Sequence, residues 1–135
     1  MMKEEEYFVK TFIRKERQER LIHELGSPKK RYRGLDRFSH QCDELIDPDV
    51  ILMKDGNLEN CADFQKFIRE NDGMCTLLSP DPSLDGLNML FSEAVEKAAF
   101  SSEAVIIVED SYCAVFSEAM KGSRDKYLLK KRNPA

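Results

Sequence analysis

The chain is predicted to be an α+β protein, and three observations predict it. Helix-period apolar stripes occupy the first two-thirds. Five short apolar runs, at 50–53, 74–78, 104–108, 112–116 and 127–129, have strand length and composition. Gly, Pro, Asn and Asp fall between these segments and rarely inside them. The expected order is two helices followed by β-α-β-α-β-β-β. It forms a mixed sheet of about five strands, with helices packed on it and an antiparallel meander at the C-terminus.

Residues 3–25 read as one long helix. Phe8, Phe12, Leu21, Ile22 and Leu25 carry the apolar spacing, and Gly26 with Pro28 supplies the stop. Its middle, 14–20, holds no apolar residue, and Glu6/Lys10 and Glu16/Arg20 are favourable i,i+4 pairs. Residues 27–34 form a basic loop, longer than the turn of a helix-turn-helix. A second helix over 35–46 places Leu35, Phe38, Cys42 and Leu45 on one stripe and ends at Asp47-Pro48. After the strand at 50–53 and a turn at 54–57, a third helix over 59–70 directs Cys61, Phe64, Phe67 and Ile68 inward. The strand at 74–78 leads to a Pro-rich loop at 79–83. A fourth helix over 84–99, with Ser83 as N-cap, follows with Leu84, Leu87, Phe91, Ala94, Val95 and Ala98 on one face.

The runs 104–108 and 112–116, separated by Glu109-Asp110-Ser111, signal a hairpin. Their unbroken apolarity predicts strands covered on both faces. A turn at 121–125 precedes the strand at 127–129, whose flanking lysines suit a sheet edge.

The chain has 135 residues and a formal net charge of −4. One globular domain is expected over 1–135: a charged helix and basic loop at 1–34, an α+β body at 35–130 and a flexible tail at 131–135. The charge is segregated. Residues 1–40 carry 11 basic and 7 acidic side chains, residues 41–120 carry 4 and 17, and residues 121–135 carry 6 and 1. The longest aliphatic run, 104–108, is too short to cross a bilayer, and no apolar leader follows the N-terminus, so no membrane contact and a cytoplasmic location are expected. The four cysteines form no C-x-x-C pair and read as free core thiols.

Four constellations carry candidate chemistry. In the first, Lys29, Lys30, Arg31, Arg33 and Arg37 surround Tyr32, a composition suited to phosphate and stacked-base recognition. In the second, the basic tail contributes Lys130, Lys131 and Arg132. The third is acidic: Asp81, Asp85, Glu109 and Asp110 lie near strand ends, where converging carboxylates can hold Mg²⁺ for phosphodiester cleavage. No acid-x-Lys tripeptide follows a strand to complete a nuclease set. The fourth is the histidines: His40 and Cys42 are two apart on a helix and do not face each other.

The six glycines are scattered, which removes a P-loop and a dinucleotide loop, and no cofactor or resident metal is expected. The G-x-S-x-G elbow and the H-E-x-x-H helix are absent too. The expected function is non-catalytic binding of a macromolecular partner through the basic N- and C-terminal segments. A protein is the first expectation and nucleic acid the second, with self-association through helix 3–25 as an extension. The alternative is a metal-dependent nuclease or phosphoesterase using the four acidic residues.

Overall fold

A computed structural model describes residues 3–101, 104–108, 112–116 and 126–131. The protein is of the mixed α+β class: among the described residues six α-helices accompany a six-stranded sheet in the order β1-β6-β5-β4-β2-β3. The helices are α1 (Lys3–Phe12), α2 (Lys15–Gly26), α3 (Arg31–His40), α4 (Cys42–Leu45), α5 (Ala62–Asn71) and α6 (Phe91–Ser101). The strands are β1 (Ile51–Asp55), β2 (Met74–Leu78), β3 (Asn88–Leu90), β4 (Ala104–Val108), β5 (Tyr112–Phe116) and β6 (Lys126–Lys130). Every strand pair is antiparallel, so the sheet is not mixed in direction, and it has one strand more than the apolar runs suggest.

Strand alternation divides the core in two. Leu78, Val105, Ile107, Cys113, Val115, Tyr127 and Leu129 meet apolar residues of α1–α4 on one face. Cys75, Leu77, Ala104, Ile106, Val108, Ala114 and Leu128 meet α5 and α6 on the other. This arrangement explains the unbroken apolarity of β4: all five of its residues are buried. On the first face Phe8 reaches Phe38 at 5.5 Å and Phe12 at 5.9 Å between ring centroids, locking α1 to α3. On the second, Phe91 packs edge-on against Phe64 and Phe67.

Five expectations are corrected. Residues 3–25 form two helices. Phe12 and Leu21 are nine residues apart, about two and a half helical turns, so a straight helix would bury them on opposite sides. The chain instead extends at Arg14, whose ψ is 136°. Ile13 bridges to Ile46, with Arg14 N–H donating to Leu45 O at 2.8 Å and Asp47 N–H to Phe12 O at 3.0 Å. The expected 35–46 helix starts earlier, at Arg31, and breaks at Gln41 into α3 and α4.

The helix expected over 84–99 begins only at Phe91. Gly86 has φ of 84°, a left-handed conformation that ends helical continuation, and Asn88–Leu90 pairs with β2 as a strand. Asp81, rather than Ser83, caps the preceding turn: its Oδ1 accepts from both the N–H and the hydroxyl of Ser83. Finally, β6 is not an edge. It lies between β1 and β5 with Tyr127, Leu128 and Leu129 buried, and β1 takes the edge. Among the described residues no helix is long and apolar enough to cross a membrane.

Candidate macromolecule-binding surface

The basic segment is not a long loop. Residues 27–30 make a four-residue turn, closed by Lys30 N–H and Arg31 N–H donating to Ser27 O at 3.0 and 2.8 Å. Helices α2 and α3 form a tight corner there. Gly34 permits the approach: a Cβ at this position would stand 3.2 Å from Glu24 Cβ and 3.2 Å from Leu25 Cδ2. Leu21, Leu25, Leu35 and Phe38 supply the buried side of this corner.

The corner sorts its cations into two groups. Arg31 faces inward. Its Nε and Nη2 donate to Asp85 at 2.9 and 3.0 Å, its Nη1 to Leu25 O at 3.1 Å, and it also pairs with the fully buried Glu5. These partners raise the Arg31 pKa, the Asp85 hydrogen bonds contributing most. Asp85 in turn accepts the Ser79 N–H at 3.2 Å, so a single guanidinium ties α1, the end of α2, α3 and the 79–86 loop together. Arg37 donates Nε and Nη2 to the two oxygens of Glu24 at 2.7 and 2.9 Å, a bidentate pair across α2 and α3. Lys29, Lys30 and Arg33 are exposed, and Tyr32 is 64% exposed beside them.

The Arg37 hydrogen bonds hold the buried Glu24 carboxyl below the usual carboxylate range, with Arg37, Arg20 and Arg33 adding electrostatic help against the opposing effect of burial. The sign of the linkage follows. A depressed folded pKa contributes stability that is present above the unfolded value of about 4.3 and lost as pH falls through the folded value. Glu24→Gln is therefore expected to lower Tm at neutral pH, with the gap to the parent protein narrowing below about pH 4. Thermal melts of both proteins across that range check it. A gap that stays constant down to pH 2 would remove the ion pair as its cause.

The described cations of the second basic segment, Lys130 and Lys131, stand apart from the first. Asp85, Arg31's partner, binds next to Leu78, and Leu78, Val105, Val115 and Tyr127 stand in register across the sheet. Lys130 pairs with Tyr112 in the row of Val108 and Cys75, at the other end of the strands. The offset is about 10 Å along the strands and about 14 Å across three inter-strand gaps. Lys130 and Lys131 are exposed there, and Arg132 lies outside the described residues.

Two of the four acidic candidates lie among the described residues. Asp85 is held by Arg31, and Asp81 by Ser83, whose hydrogen bonds depress the Asp81 pKa. Both follow β2. Glu109 and Asp110 lie outside the described residues. Among the described residues no group of three His, Cys, Asp or Glu is placed to hold a metal ion.

The thiols are free, with Cys42, Cys75 and Cys113 buried and Cys61 half-buried. Burial pushes Cys42 and Cys75 up to about 12, which keeps both protonated and poor as nucleophiles. Cys42 Sγ donates to Phe38 O at 2.8 Å. His23 is exposed, and the His40 side chain lies outside the described set.

Sequence reasoning missed the division of labour within 29–37. The pairing of Arg31 with Asp85 spans 54 positions, a separation that carries no local signal. Arg37 with Glu24 is legible only once α2 and α3 are known to meet. No family model, curated protein or solved structure matches this chain.

Proposed function

We propose that the protein is a small, non-catalytic binding protein whose α2–α3 corner docks onto an acidic surface of a partner protein. One observation carries the reading. Arg31 and Arg37 anchor the corner from within, leaving Lys29, Lys30, Arg33 and Tyr32 displayed on a rigid scaffold. Tyr and Arg are enriched at the centres of protein interfaces because each brings large contact area together with polar capacity. The anchored scaffold also lowers the ordering cost of docking.

The number of cations favours protein over nucleic acid. Three displayed cations neutralise at most about three phosphates, whereas DNA-binding proteins commonly engage about 6–10. The four-residue turn supports nucleic acid as a second reading, since helix-turn-helix proteins join their helices in that way and present the second helix to the major groove.

The test compares two doubly substituted proteins with the same change in charge. Lys30→Glu/Arg33→Glu alters the corner, and Lys66→Glu/Arg69→Glu alters exposed cations of α5 on the other face of the sheet. Binding of a fluorescent oligoglutamate peptide is expected to weaken about tenfold or more in the first and about threefold or less in the second. Equal losses would remove the corner from the proposal. Tighter binding of duplex DNA than of the peptide, with a steep salt dependence lost in the first variant, would replace the protein reading with the nucleic-acid one.

A further inference from the structure

The β3 edge of the sheet has a different character from the corner. Phe91 N–H donates to Gly73 O at 2.8 Å and Leu77 N–H to Leu87 O at 2.9 Å, which makes these the hydrogen-bonded positions of the β2–β3 ladder. Antiparallel pairs alternate, so Cys75/Met89 is hydrogen-bonded, whereas Thr76/Asn88 and Met74/Leu90 are not. The N–H and C=O groups of Asn88 and Leu90 therefore point away from β2, off the end of the sheet. No other strand takes them among the described residues, although the Leu90 C=O also accepts in the first turn of α6.

Beside this open edge lie the exposed apolar side chains Met74, Leu87 and Leu90, 54%, 41% and 40% accessible. Met74 and Leu90 are cross-strand neighbours on the face that carries α1–α4. The other edge is protected by a bulge between Ile51 and Met53 and by Lys54 in β1. The β3 edge carries neither proline nor charge.

We infer that β3 is a self-association surface, through which two copies pair antiparallel about Met89 and continue one sheet across the dimer. The register is self-complementary. Asn88 of each copy faces Leu90 of the other; two backbone hydrogen bonds run from Leu90 N–H to Asn88 O around the twofold axis, and two more run from Asn88 N–H to the second lone pair of Leu90 O. Met89 meets its own copy on the α5–α6 face, and Leu90 and Met74 gain cover on the opposite face.

Charge placement supports a copy as the occupant. Arg31 holds Lys29, Lys30 and Arg33 near the Asp85 end of β3, while Asp72 and Glu93 lie near the Phe91 end and are exposed. Antiparallel pairing sets the basic end of each copy beside the acidic end of the other. A three-residue strand makes a small interface, so the dimer is weak and concentration-dependent.

Sedimentation equilibrium from about 10 μM to about 1 mM tests the inference. The weight-average mass is expected to rise from the 15.6 kDa monomer toward twice that value. Two variants are expected to remain monomeric. Leu90→Pro deletes only an outward N–H and is tolerated at an edge, whereas Leu90→Lys places charge on both sides of the axis. Far-UV circular dichroism establishes that both are folded, and either folded variant suffices. Amide exchange adds a direct reading: with rising concentration Asn88 and Leu90 gain protection, while Met89, whose N–H faces Cys75, does not change. A parent protein that stays monomeric at about 1 mM, or variants that dimerise as well as it does, would overturn the inference. So would capture of only a foreign extended peptide at this edge.

Discussion

Arg31→Ala is expected to destabilise the protein by about 3–5 kcal/mol, the loss typical of removing one partner from a buried ion pair. Arg31 lies between Glu5 and Asp85, which are 1% and 21% exposed at their side chains. Removing it withdraws the countercharge from two largely buried carboxylates and frees Leu25 O. The cost comes chiefly from the charge those acids then carry uncompensated rather than from the lost attraction. Neutralising them in the same protein, as Glu5→Gln/Arg31→Ala/Asp85→Asn, is therefore expected to recover a large part of the loss. Urea denaturation followed by circular dichroism measures both. A loss below about 1 kcal/mol for Arg31→Ala would place the cluster among surface pairs and refute the clamp. Against a domain stability of about 5–15 kcal/mol, the expected loss decides whether the chain stays folded.

Phe8→Ala is expected to cost a similar amount, about 3–5 kcal/mol, through lost burial and the cavity it leaves. Phe8 is fully buried and touches the rings of Phe12 and Phe38, where α1 and α3 close over the sheet. Its neighbours are held by separate helices and strands, so collapse into the cavity is limited. The denaturant midpoint should fall with little change in slope. Tyr32→Ala is the matched control: the ring is mostly exposed, and the change is expected to stay within about 0.5 kcal/mol. A Phe8→Ala loss no larger than that of Tyr32→Ala would contradict the assigned core.

Both predictions bear on how legible the protein was. The strand segments β2, β4 and β5 fall where their apolar runs place them, and β4, a run with no polar member, has no alternative to burial on both faces. Helix α5 and the Asp47-Pro48 boundary were legible for local reasons, stripe spacing in one and backbone restriction in the other. The break at Ile13–Arg14 had a readable sign, the half-turn phase slip between Phe12 and Leu21, which a count of apolar positions alone overlooks. Gly86 likewise marked a break inside the expected 84–99 helix, with β3 standing between it and α6.

The candidate binding surface was legible only as a composition. Six residues between 29 and 37 looked equivalent, and the fold separated Arg31 and Arg37, turned to buried acids, from Lys29, Lys30, Tyr32 and Arg33, turned to solvent. The fold also parted the two basic segments. In sequence they bracket an acidic body; in space Lys130 and Lys131 stand at the strand end opposite the Asp85 anchor of Arg31.

By itself, the sequence determined the α+β class, the positions of the doubly buried strands and the segregation of charge along the chain. These follow from local pattern, since apolar period and punctuation act on neighbouring residues. Only the tertiary structure decided which strands became edges, which cations were neutralised and which ends met. Those outcomes depend on contacts between distant residues, 54 positions apart for Arg31 and Asp85 and 67 for Lys126 and Glu59, and such partners are selected by the packing of the whole chain.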